Sequence, residues 1–166
     1  MILAATKSAD DTQALAAALT EVVRPRDVVM LVGDVGAGKT TFTQGFGRAL
    51  GVQEAITSPT FVLLRTYGGT MPLHHVDIYR VEHLQEVIDL GLLELLDEGG
   101  VALVEWGDLA EPVLPRDYLE VRLGVHPSDD DSRQVQVRGV GPDWSVREQL
   151  VGRAIAQWVV EGGQGA

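Results

Sequence analysis

The sequence contains no cysteine, no asparagine and only two lysines among its 166 residues. Without cysteine the chain has no disulfides, thiolate metal ligands or thiol nucleophiles, which fits a cytoplasmic protein. No apolar run approaches the roughly 18 residues that a membrane-spanning helix needs, so we expect no transmembrane helix. The first residues lack the basic segment and long apolar core of a signal peptide, and we therefore expect a cytoplasmic location.

Positive charge is also scarce. The formal net charge is −11, and the basic residues are the two lysines and eleven scattered arginines. Proteins that bind nucleic acid through their own surface usually carry a basic stripe. Strong direct binding to DNA or RNA is therefore disfavoured, and any role in RNA chemistry is expected to act through another protein.

The most informative stretch is Gly33–Thr40, GDVGAGKT, which matches the phosphate-loop pattern G-x-x-x-x-G-K-[ST]. The apolar run Val28–Val32 before it predicts a strand buried on both faces. Residues 41–50 after it can form a helix that ends at a glycine. Because strand, glycine-rich turn and helix follow one another, the motif stands in the context that a nucleotide site requires.

Each part of the loop has a chemical reason. Small residues let backbone N–H groups close around phosphate oxygens, and the helix N-terminus adds partial positive charge. Lys39 would reach the β- and γ-phosphates as a point charge, and the hydroxyl of Thr40 could coordinate Mg²⁺. We therefore predict that the chain binds a nucleotide.

The rest of the pattern predicts an α/β, P-loop NTPase-like three-layer fold with a mixed sheet and antiparallel edge hairpins. One domain is expected over residues 1–160, followed by a flexible tail over 161–166. The helices predicted outside the loop run from Ser8 to near Pro25, over 82–97 with a division at Gly91, and over 144–160. The further strands are predicted at 61–67, 71–79, 101–104, 118–123 and 133–138, with a hairpin tip at Asp129–Ser132.

Two carboxylates follow predicted strands at positions where a P-loop protein needs acidic groups. Asp77 ends the strand 73–76, and Glu105 ends the apolar run 101–104. In open α/β sheets, groups at the carboxyl ends of strands line the ligand crevice. We assign Glu105 to the metal and Asp77 to positioning the attacking water or a metal-bound water, although either could instead cap a helix or pair with an arginine such as Arg80.

Other polar residues near these strands leave alternatives open. Ser58 and Thr60 could sense the γ-phosphate, or they could simply begin a strand after a proline turn. Trp106 could pack on the nucleotide, on a partner or in the core. His74 and His75 point to opposite faces of their strand, so a shared metal ion is improbable and hydrogen-bonded or exposed imidazoles are expected.

Four segments together resemble one family, the bacterial tRNA threonylcarbamoyladenosine biosynthesis ATPases, TsaE (formerly YjeE). The order and spacing of the segments agree with that family over about residues 8 to 110, with a weaker match in the C-terminal hairpin. The segments Ser58–Phe61 and His75–Arg80 are more specific than the loop itself. The four are Gly33–Thr41, Ser58–Phe61 (SPTF), His75–Arg80 (HVDIYR) and Glu105–Trp106.

The resemblance implies a weak, Mg²⁺-dependent ATPase that two partner proteins, TsaB and TsaD, stimulate. Together they would form threonylcarbamoyladenosine at position 37 of tRNAs that read ANN codons, and TsaD would carry out the transfer itself. ATP and Mg²⁺ are the expected cofactors, and tRNA contact is expected only through the complex.

The resemblance also implies functions for individual residues. Thr40 and Glu105 would coordinate Mg²⁺, and Asp77 would act in hydrolysis together with Lys39 and Glu105. Thr12 and Arg133 fall where the family contacts nucleotide. The full set predicted to bind the nucleotide is Thr12, Gly36, Ala37, Gly38, Lys39, Thr40, Thr41, Trp106 and Arg133.

Three other classes of protein share a phosphate loop. A small-molecule kinase is the main alternative, but it usually needs an arginine-rich lid, and only Arg80 lies between Asp77 and Glu105. A GTP-dependent switch commonly recognises guanine through an Asn-Lys-x-Asp element, which a chain without asparagine cannot contain. A nucleotide-binding adaptor without turnover would retain the same Lys39 and Thr40.

Overall fold

The computed structural model describes residues 1–58, 63–78, 81–105 and 110–161. A seven-stranded mixed sheet has the strand order β1-β7-β6-β2-β5-β4-β3. Its strands are β1 (Ile2–Thr6), β2 (Val28–Val32), β3 (Leu64–Tyr67), β4 (Leu73–Asp77), β5 (Val101–Glu105), β6 (Tyr118–His126) and β7 (Asp129–Val140). The helices are α1 (Ala9–Leu19), α2 (Lys39–Ala49), α3 (Leu84–Asp89), α4 (Leu92–Glu98), α5 (Pro142–Ser145) and α6 (Glu148–Ala154), with short 3-10 turns at Glu111–Val113 and Ala156–Trp158.

The centre of the sheet is parallel and its flanks are antiparallel. Strand β2 pairs in parallel with both β5 and β6, and β4 pairs in parallel with β5. The β3–β4 hairpin forms one edge, as predicted. At the other edge the outermost strand is β1, which pairs antiparallel with β7. The β6–β7 hairpin therefore lies one strand in from that edge.

Helices cover both faces of the sheet, which confirms the three-layer fold. Alternate residues of β2 divide between two hydrophobic clusters: Val29 and Leu31 join the cluster that includes α1, α2 and α6, whereas Val28 and Met30 join the one that includes α3 and α4. All five residues of β2 are buried, as its unbroken apolar sequence predicts.

Two predicted helix boundaries are confirmed and one is wrong. Ser8 caps α1, since its hydroxyl accepts from the Asp11 N–H at 3.1 Å. Gly91, at φ 72°, separates α3 from α4. However, α1 ends at Leu19 rather than near Pro25, because the following N–H groups bond to carbonyls three residues back, as in the 3.1 Å bond from Thr20 to Ala17.

The C-terminal third differs most from the prediction. The turn of the β6–β7 hairpin falls at residues 127–128, and Asp129–Ser132 belongs to β7, because β6 continues to His126. The single helix predicted over 144–160 is broken into α5, α6 and a 3-10 turn. Arg147, which lies at the break, anchors its guanidinium on Asp27 at 2.6 and 2.9 Å and stacks 3.7 Å from the ring centre of Trp144.

Several predicted features lie outside the described residues. They include Pro59, Thr60 and Phe61 of the SPTF segment, Tyr79 and Arg80, Trp106, and residues 162–166 of the tail. Within the described ranges, no helix is both long enough and apolar enough to cross a bilayer.

Candidate functional site: a phosphate loop beside two strand-end carboxylates

The loop between β2 and α2 takes a conformation that only glycine adopts easily at two positions. Gly36 has φ 83°, and Gly38, the residue that precedes α2, has φ 104°. Gly33 is required for a different reason: a Cβ there would lie 2.6 Å from the carbonyl oxygen of Leu123. The loop therefore packs its backbone against β6 just before the first turn of α2.

Lys39 is the first residue of α2 and its side chain is largely buried. Its ammonium group donates hydrogen bonds to the carbonyl oxygens of Gly33 at 2.6 Å and Asp34 at 3.1 Å. Burial lowers the pKa of Lys39, while the charges of Glu105, Asp77 and Asp34 act in the opposite direction. The ammonium thus lies within the electrostatic reach of both predicted catalytic carboxylates.

Asp77 and Glu105 come together as predicted. They are register partners at the carboxyl ends of the adjacent parallel strands β4 and β5. Asp77 follows Leu73 in β4, and Glu105 follows Leu103 in β5, each by an even number of residues, so each carboxylate is on the same face of its strand as that leucine. Both leucines belong to the hydrophobic cluster on the α2 side of the sheet. Both carboxylates therefore emerge on the face where the phosphate loop lies.

Thr40 lies one residue after the lysine, and its hydroxyl oxygen is 3.2 Å from the hydroxyl oxygen of Ser58. The predicted metal ligand therefore contacts Ser58, the first residue of the segment for which a γ-phosphate sensor and a simple strand entry were both left open. The structure brings these two hydroxyls together from positions 18 residues apart in the chain.

Four of the predicted nucleotide contacts line one cleft of about 70 Å³ together with Ala9 and Asp131; they are Thr12, Gly38, Thr41 and Arg133. Thr12 is buried, and its hydroxyl pairs with that of Thr6 at 2.7 Å. The guanidinium of Arg133 donates to the carbonyl oxygens of Ala37 at 2.8 Å and Gly36 at 3.3 Å. The β6–β7 hairpin therefore braces the loop directly.

Sequence reasoning missed one buried contact in this region. Nε2 of His75 lies 2.9 Å from Oε1 of Glu105, and both side chains are almost completely buried. His74, by contrast, bonds Thr66 and the carbonyl of Gly99 on the other side of the strand, as the opposite orientation of neighbours predicts. The signal for His75 was its two-residue spacing from Asp77, which puts both side chains on one face.

These features fit Mg²⁺ and a nucleotide phosphate group. A backbone nest with two glycines in left-handed conformations suits phosphate oxygens, and a lysine stands at the start of the following helix. Hydroxyl and carboxylate oxygens are the donors that Mg²⁺ prefers. A parallel sheet centre, this loop and two strand-end carboxylates define a P-loop nucleotide-binding protein.

Comparisons with known proteins give the family. The family model described as threonylcarbamoyl adenosine biosynthesis protein TsaE matches residues 6–135. A Bacillus subtilis (strain 168) protein named tRNA threonylcarbamoyladenosine biosynthesis protein TsaE is 42% identical over 137 residues, which is 82% of this chain and 84% of the relative. A Streptomyces coelicolor protein of the same name is 42% identical over 139 residues, which is 80% of this chain and 93% of the relative.

The chain belongs to the TsaE family and functions in the biosynthesis of threonylcarbamoyladenosine in tRNA. A solved structure, the crystal structure of Bacillus subtilis YdiB, superposes with a TM-score of 0.74 at 32% sequence identity. The superposition covers 92% of this chain and 97% of that one. The resemblance drawn from the sequence motifs is confirmed.

Proposed function

We propose that the chain is an Mg²⁺-dependent ATPase of the cytoplasm that supports threonylcarbamoylation of adenosine 37 in ANN-decoding tRNAs, together with TsaB and TsaD. One observation carries the proposal. Asp77 and Glu105 end adjacent parallel strands, and their charges act on the ammonium of Lys39. A cation, a polyphosphate and an attacking water can be held together only where such groups converge.

In this proposal each group has one task. The backbone of Gly36, Ala37, Gly38 and Thr41 binds phosphate oxygens, and Lys39 exchanges its bonds to the loop carbonyls for bonds to the β- and γ-phosphates. Thr40 and Glu105 hold Mg²⁺, which would neutralise charge on the phosphates. Asp77 orients the attacking water.

The cleft beside the loop supports nucleotide binding beyond the phosphates. Thr12, Thr41 and Arg133 line it at the first turn of α2. Arg133 acts there through the loop, since its guanidinium holds the carbonyls of Gly36 and Ala37. Trp106 follows Glu105 directly in sequence, and we retain it as a proposed nucleotide contact.

The acidic surface supports an indirect contact with tRNA. A net charge of −11 opposes binding to a polyanion, so the proposal places tRNA on the partners rather than on this chain. The transfer chemistry then belongs to TsaD, and ATP hydrolysis by this chain drives the cycle of the assembly.

The test is steady-state ATP hydrolysis by the purified chain, alone and then with TsaB, TsaD and tRNA. We expect slow hydrolysis alone and stimulation of roughly tenfold or more in the complex, which corresponds to lowering the barrier by about 1.4 kcal/mol. Lys39→Ala should abolish both activities. Equal, slow hydrolysis with and without the partners would contradict the proposal, and release of a phosphorylated metabolite would favour a small-molecule kinase.

A further inference from the structure

The imidazole of His75 is buried against a hydrophobic cluster, where an apolar side chain would pack without needing hydrogen-bond partners. Its side chain has no exposed surface, and it lies on the face of β4 that packs against the cluster with α1 and α2. Within the part of the chain that the structure describes, its Nδ1 atom is buried without a hydrogen-bond partner. A buried acceptor left unpaired costs free energy that an apolar side chain would avoid.

The other ring nitrogen has a specific partner. Nε2 lies 2.9 Å from Oε1 of Glu105, within hydrogen-bond distance, and an ionised carboxylate accepts from a ring N–H at this position. This contact joins β4 to β5 and uses one oxygen of the carboxylate, Oε1. The other oxygen, Oε2, is not the one that His75 contacts.

We propose that His75 is a positioning residue, which orients the Glu105 carboxylate so that Oε2 coordinates the Mg²⁺ of the bound nucleotide. The inference rests on the proposed function, because it gives Glu105 the metal. Groups that hydrogen-bond a ligating carboxylate fix its rotamer and strengthen metal binding, although they never touch the metal.

The neighbouring histidine offers a matched control. His74 is also buried, and both its ring nitrogens have partners, Thr66 Oγ1 at 2.9 Å and the Gly99 carbonyl at 3.1 Å. It faces the opposite side of the sheet from Glu105. A role in stability alone predicts that replacing His74 does at least as much harm as replacing His75, whereas positioning predicts an effect on the metal only at His75.

The experiment measures ATP binding by calorimetry across a series of Mg²⁺ concentrations, with thermal unfolding of each variant in parallel. His75→Leu should raise about tenfold the Mg²⁺ concentration that gives half of the maximal effect on ATP binding. His75→Gln, whose amide nitrogen can occupy the place of Nε2, should restore it to within about threefold of wild type. His74→Leu should lower the unfolding temperature and leave the Mg²⁺ dependence unchanged.

A double variant distinguishes positioning from an independent effect. If His75 acts through Glu105, His75→Leu should add nothing to the Mg²⁺ shift that Glu105→Gln already causes. Additive shifts, or a wild-type Mg²⁺ dependence in His75→Leu, would overturn the inference. Should His75→Leu not fold, His75→Asn, which is too short to reach Glu105, should give the same tenfold shift.

The outcomes also separate this inference from the proposed function. If Glu105→Gln shifts the Mg²⁺ dependence and His75→Leu does not, only the positioning role is wrong. If Glu105→Gln has no effect, the metal role of Glu105 fails and the positioning role is overturned with it.

Discussion

The two strand-end carboxylates, Asp77 and Glu105, are given different roles in the proposed site. Both lie on the same face, and Glu105 has the buried imidazole of His75 against one of its oxygens. A carboxylate held in one orientation suits a fixed cation. The proposal therefore gives the metal to Glu105 and the attacking water to Asp77.

The division of roles predicts different behaviour for the two carboxylates. Asp77→Asn should leave the dissociation constant of ATP within about threefold of wild type but slow hydrolysis roughly 100-fold, because a neutral amide holds the attacking water less strongly than a carboxylate. Single-turnover hydrolysis in the partner complex measures the chemical step.

The control for this variant is Asp89→Asn, which removes the same charge from the exposed surface of α3. It should hydrolyse ATP at the wild-type rate. If Asp77→Asn also hydrolysed ATP at the wild-type rate, the role given to that carboxylate would be wrong.

At the scale of elements, α2 is fixed against α1 by close backbone contact. A Cβ on Gly45 would lie 2.4 Å from the carbonyl oxygen of Gln13 and 2.5 Å from its Cα, so the two helices meet where no side chain fits. Because α2 begins at the phosphate loop, its placement against α1 also places Lys39 and Thr40.

Gly45→Ala should therefore destabilise the fold by about 1–3 kcal/mol, since the helices must separate to admit a methyl group. Gly152→Ala in α6 is the matched control, because its Cβ would approach only Ile2 Cδ1, at 3.7 Å. That variant should gain about 0.5–1 kcal/mol from helix propensity. Urea unfolding measures both, and equal stabilities of the two variants would refute the packing argument.

Local sequence predicted those elements whose signals are local. The phosphate loop, the buried strand Val28–Val32 and the division at Gly91 are each defined by a few consecutive residues. The adjacency of Asp77 and Glu105 was also predictable, since carboxyl ends of parallel strands meet at one edge.

Features set by distant partners could not be predicted. Strand β1 was missed, because its alanine-rich sequence pairs with β7 more than a hundred residues away. The break between α5 and α6 occurs at Arg147, whose guanidinium reaches Asp27, 120 residues away. Arg133 contacts the carbonyls of Ala37 and Gly36, which precede it by 96 and 97 residues in the chain. Helical or strand periodicity carries no information about such contacts.

At the scale of the whole molecule, the net charge of −11 makes acidification act in two opposite ways. Added protons relieve repulsion among surface carboxylates, which favours the folded state. They also neutralise Glu120, which is buried in β6 and accepts from Arg122 at 2.8 Å and Arg138 at 3.1 Å. Burial acts to raise the pKa of Glu120, but the two arginines outweigh it and hold the pKa below its usual value.

The sign of the Glu120 contribution follows from this lowered pKa. The ion pairs stabilise the fold fully above the pKa of the unfolded chain, about 4.3, and the stabilisation is lost as the pH falls through the folded pKa. In Glu120→Gln the free energy of unfolding should therefore fall less steeply below about pH 4.5 than in wild type. In Glu94→Gln, a substitution on the exposed surface of α4, it should fall as in wild type. Denaturant unfolding from pH 7 to pH 3 checks this, and parallel curves for the two variants would exclude the mechanism.

The pairing of β1 with β7 also has a consequence for the order in which the protein acquires its structure. Ile2 leaves the ribosome well before its partner Val137, because 134 residues separate them in the chain. The Val160 N–H then donates to the carbonyl of Leu3 in β1, and Trp158 Nε1 donates to Asp11 in α1, so residues 158–160 pack against β1 and the start of α1. Such long loops make pairing slow, and the sheet can acquire its outer strand β1 only after β7 has been synthesised. Until then β1 has no partner strand.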